Sequence, residues 1–382
     1  MDNTTPASPG QATNVGGPLE QGPSNVNTAL PPPIMPRTLP NSPLALYQPV
    51  RFLGQGGFGF VVLSINRMTG EMVAIKFVEC KTEASRKIIS REVANHLQLR
   101  HPHVVELREV LAAPPYVGIV MEYVSGGTLF DYVAQRGGLP EPEARWFFQQ
   151  LLIGLDYCHR RGVMNRDIKL QNTLLAPQPA GVPPMVKLCD FGYSKHEDFD
   201  SVAKSCVGTP AYIAPEVMNT GRAYDGKQAD VWSAGVMLFA MIFSKYPFEQ
   251  AEDARLLPAE RGHRMMKRIA KGHWEVPDDP QVSDSCRDLL LRVLVKDPTQ
   301  RLTLGELMKH PWFAEGLPPG SLEYNELALQ SHPPPTQQPH LAQQAIDQVL
   351  QSCLAAAAPT RGRTDAAPLL PQQSPFSGGV TM

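Results

Sequence analysis

The chain has little that ties it to an oxidising compartment, a metal or a membrane. Its six cysteines, at positions 80, 158, 189, 206, 286 and 353, contain no CxxC pair and no metal-ligand spacing. That speaks against a zinc site and a disulfide framework and fits a reducing compartment. No apolar run is long enough to span a bilayer. Nor does an apolar core follow Met1-Asp2-Asn3 to make a signal peptide, or a Gly follow Met1 for myristoylation. Neither sign of charge dominates, with 35 Lys and Arg against 37 Asp and Glu, so no general attraction to nucleic acid or anionic membrane is expected. What remains is a soluble protein of the cytoplasm, the nucleus or both, with 42% hydrophobic residues among 382 to build a large core.

Composition divides the chain in three. Residues 1–46 form an N-terminal tail, rich in Pro, Asn, Gly, Ser and Thr to about Ser42, where disorder is expected; Pro31-Pro32-Pro33 reads as flexible tail before it reads as a polyproline ligand. From Tyr47 the pattern changes to short apolar segments and glycines. Strands are expected over Val50 to Gly54, Gly59 to Ile65 and Met72 to Glu79, with Met68-Thr69-Gly70 as a turn. A helix from about Thr82 to Leu99 and strands over Val104 to Val110 and Tyr116 to Tyr123 follow. Beyond Gly126-Gly127 the pattern is mainly helical: Ala144, Phe147, Phe148, Leu151, Leu152, Leu155 and Cys158 make one stripe, and Gln228 to Ser244 is apolar almost all round. Later helices are expected over Glu260 to Lys271, Asp284 to Val295 and Thr303 to Lys309, and Pro311-Trp312-Phe313 closes the compact region at 313. Residues 314–382 form a C-terminal tail with one amphipathic helix at about 341–357.

Four motifs in fixed order carry the chemistry. Gly54-Gln55-Gly56-Gly57-Phe58-Gly59-Phe60-Val61 places Gly54, Gly56 and Gly59 where backbone can approach phosphate, and Val61 where it can cover an adenine ring. A dinucleotide-binding turn would need a helix after Gly59, and Phe60-Val61-Val62-Leu63 reads as strand. Val73-Ala74-Ile75-Lys76 sets Lys76 on the next strand and Glu92 in the helix after it, an ion pair that would hold Lys76 on the α- and β-phosphates of a nucleotide. Asn165-Arg166-Asp167-Ile168-Lys169-Leu170-Gln171-Asn172 supplies Asp167 to orient a hydroxyl and accept its proton, Lys169 to neutralise a phosphoryl group and Asn172 to hold a metal ion. Asp190-Phe191-Gly192 supplies Asp190 to bridge phosphates through Mg²⁺. The set is that of protein-kinase phosphoryl transfer, and the GxxxxGK[ST] of the Walker-type NTPases is absent. The expected fold is α+β and bilobal, a small antiparallel sheet with one helix followed by a mainly helical lobe. Cys189 and Cys206 lie by the active site and on the following segment, and both are expected to be inert thiols.

The stretch from Tyr47 to Phe313 resembles the eukaryotic Ser/Thr protein kinases throughout. The phrases at 170–175, 189–195, 207–216 and 224–227 narrow the resemblance to the plant and green-algal subclass-two relatives of the sucrose-non-fermenting kinase, known for osmotic-stress and abscisic-acid signalling. The resemblance implies an Mg²⁺/ATP-dependent monomeric enzyme acting on protein Ser and Thr hydroxyls. It implies that Leu53, Val61, Ala74, Met121, Glu122, Val124 and Leu174 surround the nucleotide base, and that Arg301 pairs with Glu216. It further implies activation by phosphate on Ser205, met by Arg166, while Thr209 bonds Asp167 and Lys169 in the substrate platform. The stripe Ile346, Val349, Leu350, Cys353 and Leu354 matches a family helix that packs on the helix carrying Glu92 and keeps the kinase active. Implied partners are protein substrates, an upstream kinase and a type 2C protein phosphatase. The acidic segment by which hormone-linked members meet those phosphatases is not matched, since Arg361 and Arg363 outnumber Asp365 after Cys353.

Some positions depart from the pattern. Asn165 stands where kinases carry His or Tyr, which is expected to loosen the packing beneath Phe191. Gln171 and Thr128 stand where basic-directed relatives carry Glu, which weakens a preference for substrates with Arg near the acceptor. Ala176 to Pro184 is expected to be a surface loop. Asn165 is also the one feature that favours a rival reading, a pseudokinase scaffold acting through partner binding.

Overall fold

The computed structural model describes residues 43–56, 59–191, 210–218, 223–331 and 339–357. The N-terminal tail with its proline run, Gly57 and Phe58, the segment holding Ser205, Cys206 and Thr209, and the chain after Ala357 lie outside the described residues.

The small lobe is a five-stranded antiparallel sheet in the order β1-β2-β3-β5-β4. Its strands are β1 (Tyr47–Gly56), β2 (Gly59–Asn66), β3 (Met72–Glu79), β4 (Leu107–Ala113) and β5 (Tyr116–Glu122). The helix α1 (Glu83–Leu97) joins β3 to β4, started by Thr82 and Ser85 in a reciprocal capping box. Alternation on β3 buries Val73, Ile75 and Phe77 on one face and leaves Ala74 and Lys76 half-buried on the other. Since cross-strand partners share a face, the pairs Val61 with Lys76 and Ala74 with Met121 put all four side chains on that second face.

Two boundaries differ from the sequence reading. β4 begins at Leu107, not Val104, because Val104 and Val105 are buried against a different strand: Val105 N–H donates to Leu188 O at 2.8 Å, and Leu188 N–H donates to His103 O at 2.9 Å. The folded body begins before Tyr47, because Leu44 is buried in the small-lobe core.

The large lobe holds α2 (Leu129–Arg136), α3 (Glu141–Arg160), the two-stranded sheet of β6 (Thr173–Ala176) and β7 (Met185–Leu188), α4 (Gly226–Phe243), α5 (Pro258–Lys271), α6 (Asp284–Val293), α7 (Leu304–Leu307) and α8 (Pro311–Ala314). The apolar helix α4 is buried along almost its whole length, and α3 buries a broad stripe beside it. Residues 177–183 between β6 and β7 are exposed.

The lobe does not end at Phe313. A further helix, α9 (Tyr324–Ser331), is seated on α3 by Asn325, 1% exposed, whose side chain donates to Ile153 O at 2.9 Å and Asp156 Oδ2 at 2.8 Å and meets His101 Nε2 at 3.0 Å. A single buried Asn leaves no periodicity, so the sequence reading missed this helix. The last helix, α10 (Pro339–Ala357), lies on α1, β4 and β5. Ile346, Leu350 and Cys353 are buried there among Val78, Ile89, Val93 and Val117, and Asp347 takes Arg86 and Ser90 of α1, each at 3.3 Å. No described helix is long and apolar enough to cross a membrane.

Candidate active site

The cleft between the lobes gathers charged groups that lie far apart in sequence. Lys76 Nζ is 2.9 Å from Glu92 Oε1 on α1 and 2.9 Å from Asp190 Oδ1 after β7. Burial by itself would lower the ammonium's pKa, but the carboxylates of Asp190 and Glu92 outweigh it and raise it, so Lys76 is a fixed cation. Above it, Gly59 is required by close approach, since a Cβ there would lie 1.8 Å from Phe77 O. At Gly54 and Gly56 a Cβ would meet no described atom within 4 Å, so the space beside these two glycines is open.

Asp167 sits in a tight net. Lys169 Nζ is 2.9 and 2.7 Å from its two carboxylate oxygens, and Asn172 Nδ2 donates to Oδ2 at 2.6 Å and to the backbone carbonyl at 3.1 Å. Burial raises the Asp167 pKa, with a smaller push from Asp190, while Lys169 and Asn172 hold it down. The loop is fixed from beneath by Asp230 of α4, wholly buried, which accepts the N–H of Asn165 at 3.0 Å and of Arg166 at 2.7 Å and faces His159 Nε2 at 2.8 Å. Sequence reading gave Asp230 no role; a lone carboxylate within an apolar helix was the available signal.

Asn165 does not leave the loosened packing anticipated for it. It is 1% exposed; its Oδ1 accepts Asp167 N–H at 3.1 Å in an Asx turn, and its Nδ2 reaches Asp190 O at 3.4 Å. The turn accompanies Arg166 at φ 64°, in the left-handed region. Phe191 is buried with its ring centroid 4.9 Å from that of His96 on α1. Burial pulls the His96 pKa to about 4, so its ring is neutral, and its Nε2–H donates to Val105 O at 2.7 Å.

The residues named for the base are half-buried around the cleft: Leu53, Val61, Ala74 and Met121 in the small lobe, Glu122 and Val124 at the crossing, and Leu174 on β6 below. Arg166 packs its guanidinium 5.4 Å from the Tyr224 ring centroid, and its buried Nε has no hydrogen-bond partner among the described residues. Thr128 is occupied as the N-cap of α2, accepting Asp131 N–H at 3.1 Å. Buried Gln171 Oε1 has no partner among the described residues. Burial pushes the Cys189 thiol up to about 12, which makes it unreactive. Arg301 donates to Glu216 at 2.7 and 2.9 Å and to Gln228 O at 2.7 Å, wholly buried beneath the far end of the cleft.

The donors suit an Mg²⁺ nucleotide. Asn172 and Asp190 supply hard oxygens, and Mg²⁺ in such sites takes one or two protein oxygens, with phosphate and water completing the octahedron. No group of three or more His, Cys, Asp or Glu arranged for a metal occurs among the described residues.

Residues 47–313 match the protein kinase domain family. Over 275 residues the chain is 46% identical to the serine/threonine-protein kinase SRK2H of Arabidopsis thaliana, covering 71% of this chain and 73% of that protein. It is 45% identical over 272 residues to SAPK5 of Oryza sativa subsp. japonica, covering 71% of each. With SRK2D of Arabidopsis thaliana the likeness reaches 329 residues at 41% identity, or 86% of this chain and 87% of the relative.

Proposed function

The chain belongs to the protein kinase family, in the branch of the plant SRK2 and SAPK serine/threonine kinases, and on that premise we propose how its own residues carry phosphoryl transfer from ATP to protein Ser and Thr hydroxyls. The observation that carries the reading is Lys76, held 2.9 Å from both Glu92 and Asp190, because one cation then ties the small-lobe helix to the metal-binding carboxylate.

Leu53, Val61, Ala74, Met121 and Leu174 enclose the base, with the backbone from Glu122 to Val124 at its edge. Gly54, Gly56 and Gly59 lie over the phosphates, and Lys76 meets the α- and β-phosphates. Asn172 and Asp190 would hold Mg²⁺, which when bound would neutralise charge on the phosphate oxygens. Asp167 orients the substrate hydroxyl and takes its proton, while Lys169 offsets charge on the transferring group. Gln171 and Thr128 bring no carboxylate to the substrate channel, so an Arg beside the acceptor gains no ion pair there.

Activation follows from phosphate on Ser205 meeting Arg166, whose buried Nε lacks a partner among the described residues. Thr209 belongs to the substrate platform, residues 314–382 are a regulatory tail, and the enzyme acts as a monomer in stress or nutrient signalling in the cytoplasm, the nucleus or both, with an upstream kinase and a type 2C phosphatase as partners. The scaffold reading loses its support, since Asn165 is a bonded member of the loop.

Transfer of labelled γ-phosphate to a generic protein substrate tests this. Asp167→Ala is expected to lower the rate by roughly 10²- to 10⁴-fold with little change in melting, and Ser205→Ala to lower it strongly. No transfer by the natural chain after treatment with an activating kinase would sink the proposal.

A further inference from the structure

Lys187 takes no part in the transfer chemistry, yet it is a largely buried cation. It lies on β7, and its Nζ is 2.7 Å from Glu122 Oε1, with the two side chains 13% and 19% exposed. Glu122 ends β5, where the chain leaves the small lobe. Lys187 pairs with Leu174 across the β6–β7 ladder, so both side chains leave the same face of that sheet, one toward the crossing and one toward the base.

The Glu122 carboxylate has a second bond, accepting Glu106 N–H at 2.7 Å, while the N–H of Glu122 donates to Glu106 O at 3.0 Å. These reciprocal bonds clamp the crossing residue to the chain just before β4. The same stretch is bound to the other edge of β7 through Val105 and His103. The Lys187 ammonium at 2.7 Å holds the Glu122 carboxylate in the orientation from which it accepts the Glu106 N–H. Without Lys187 the carboxylate loses that anchor and is free to turn toward water, and the bond from Glu106 N–H would weaken. The Glu122 N–H is thereby committed to Glu106 and is not available to a bound purine.

We infer that Lys187 is a positioning residue for the nucleotide: through Glu122 it sets the strand crossing against which the base lies, and so tunes nucleotide affinity without touching the phosphates. The inference rests on the reading of the cleft as an ATP site. A buried pair that served stability alone would lower melting and leave affinity unchanged.

The test is the Kd of the full chain for Mg-ADP by titration calorimetry, with melting and the transfer rate at saturating ATP measured beside it. Lys187→Met is expected to weaken ADP binding roughly five- to tenfold, the scale of coupling between contacting groups, with the saturating rate changed less than about twofold. Lys187→Arg, which keeps the charge, is expected to restore affinity to within about twofold. Since Lys187→Met strands a carboxylate, Glu122→Gln combined with Lys187→Met gives the same reading with neither charge present. Unchanged ADP affinity in the Met variant and the paired variant, or lowered melting with affinity kept, would overturn the inference alone. A natural chain that binds no ADP would overturn both it and the ATP-site reading.

Discussion

In the large lobe, α4 lies inside a core supplied by helices of the same continuous stretch of chain, whereas in the small lobe the hydrophobic cluster between the sheet and α1 takes Ile346, Leu350 and Cys353 from a helix that begins at Pro339. The parts of the active site divide along the same line. Asp167, Lys169 and Asn172 stand on the lobe that supplies its own core, held by Asp230 of its central helix. Glu92 stands on α1, one face of which is covered by the tail. The cleft therefore joins a half whose core is continuous in sequence to a half whose helix α1 packs against a distant helix, so that contacts of α10 lie on the same element as Glu92, the partner of Lys76.

The sharpest way to break this comparison is to damage the large lobe where it is most closed. Arg301→Ala leaves Glu216 without its cation in a buried setting and is expected to cost about 3–5 kcal/mol of global stability, read as a lower midpoint in urea by both near- and far-ultraviolet dichroism. A loss of activity at unchanged midpoint would mean that the pair serves the site and not the frame.

A smaller and more local effect is expected in the other lobe. Leu350→Ala removes a fully buried side chain from the tail interface and is expected to cost roughly 2–4 kcal/mol of docking. Faster amide exchange confined to α1 and α10, with reduced transfer and an unaltered large lobe, would sharpen the contrast. Equal loss of protection in α4 would erase it.

Acid tests the joint between the lobes. Burial lowers the pKa of His96 and His103 to about 4 and of His101 to about 3. The unfolded chain then binds more protons than the folded one between about pH 6.5 and 4, so stability is present above that range and lost as pH falls through it. Each ring is expected to cost ~0.7 kcal/mol between pH 7 and 6, and His96→Gln should remove one such increment from the urea midpoints. A slope unchanged by that substitution would show that His96 does not titrate on unfolding.

Much of this fold was legible because its signals are local. Alternation marked β3 at its observed bounds, and the stripe of α3 and the uniform apolarity of α4 were plain in the sequence. Where the reading slipped, burial had another cause. Val104 and Val105 are apolar because they lie on β7, not because they belong to the five-stranded sheet. Helix α9 is held by the amide of Asn325, and one polar residue makes no period. In the cleft, motif spacing named Lys76, Glu92, Asp167, Asn172 and Asp190, but it said nothing of Asp230 beneath them or of Lys187 beside the crossing.

The sequence by itself determined which residue types stand at each station of the chain and in what order, and hence the family, because side-chain chemistry and periodicity are properties of short stretches. Tertiary structure alone decided that Lys76 meets both Glu92 and Asp190, that Asn165 closes a turn, that Lys187 reaches Glu122 and that a helix near the C-terminus completes the small-lobe core. Those contacts join residues far apart in sequence or depend on one exact backbone turn. They are chosen by the burial and hydrogen bonding of the whole molecule together, which no window along the chain can contain.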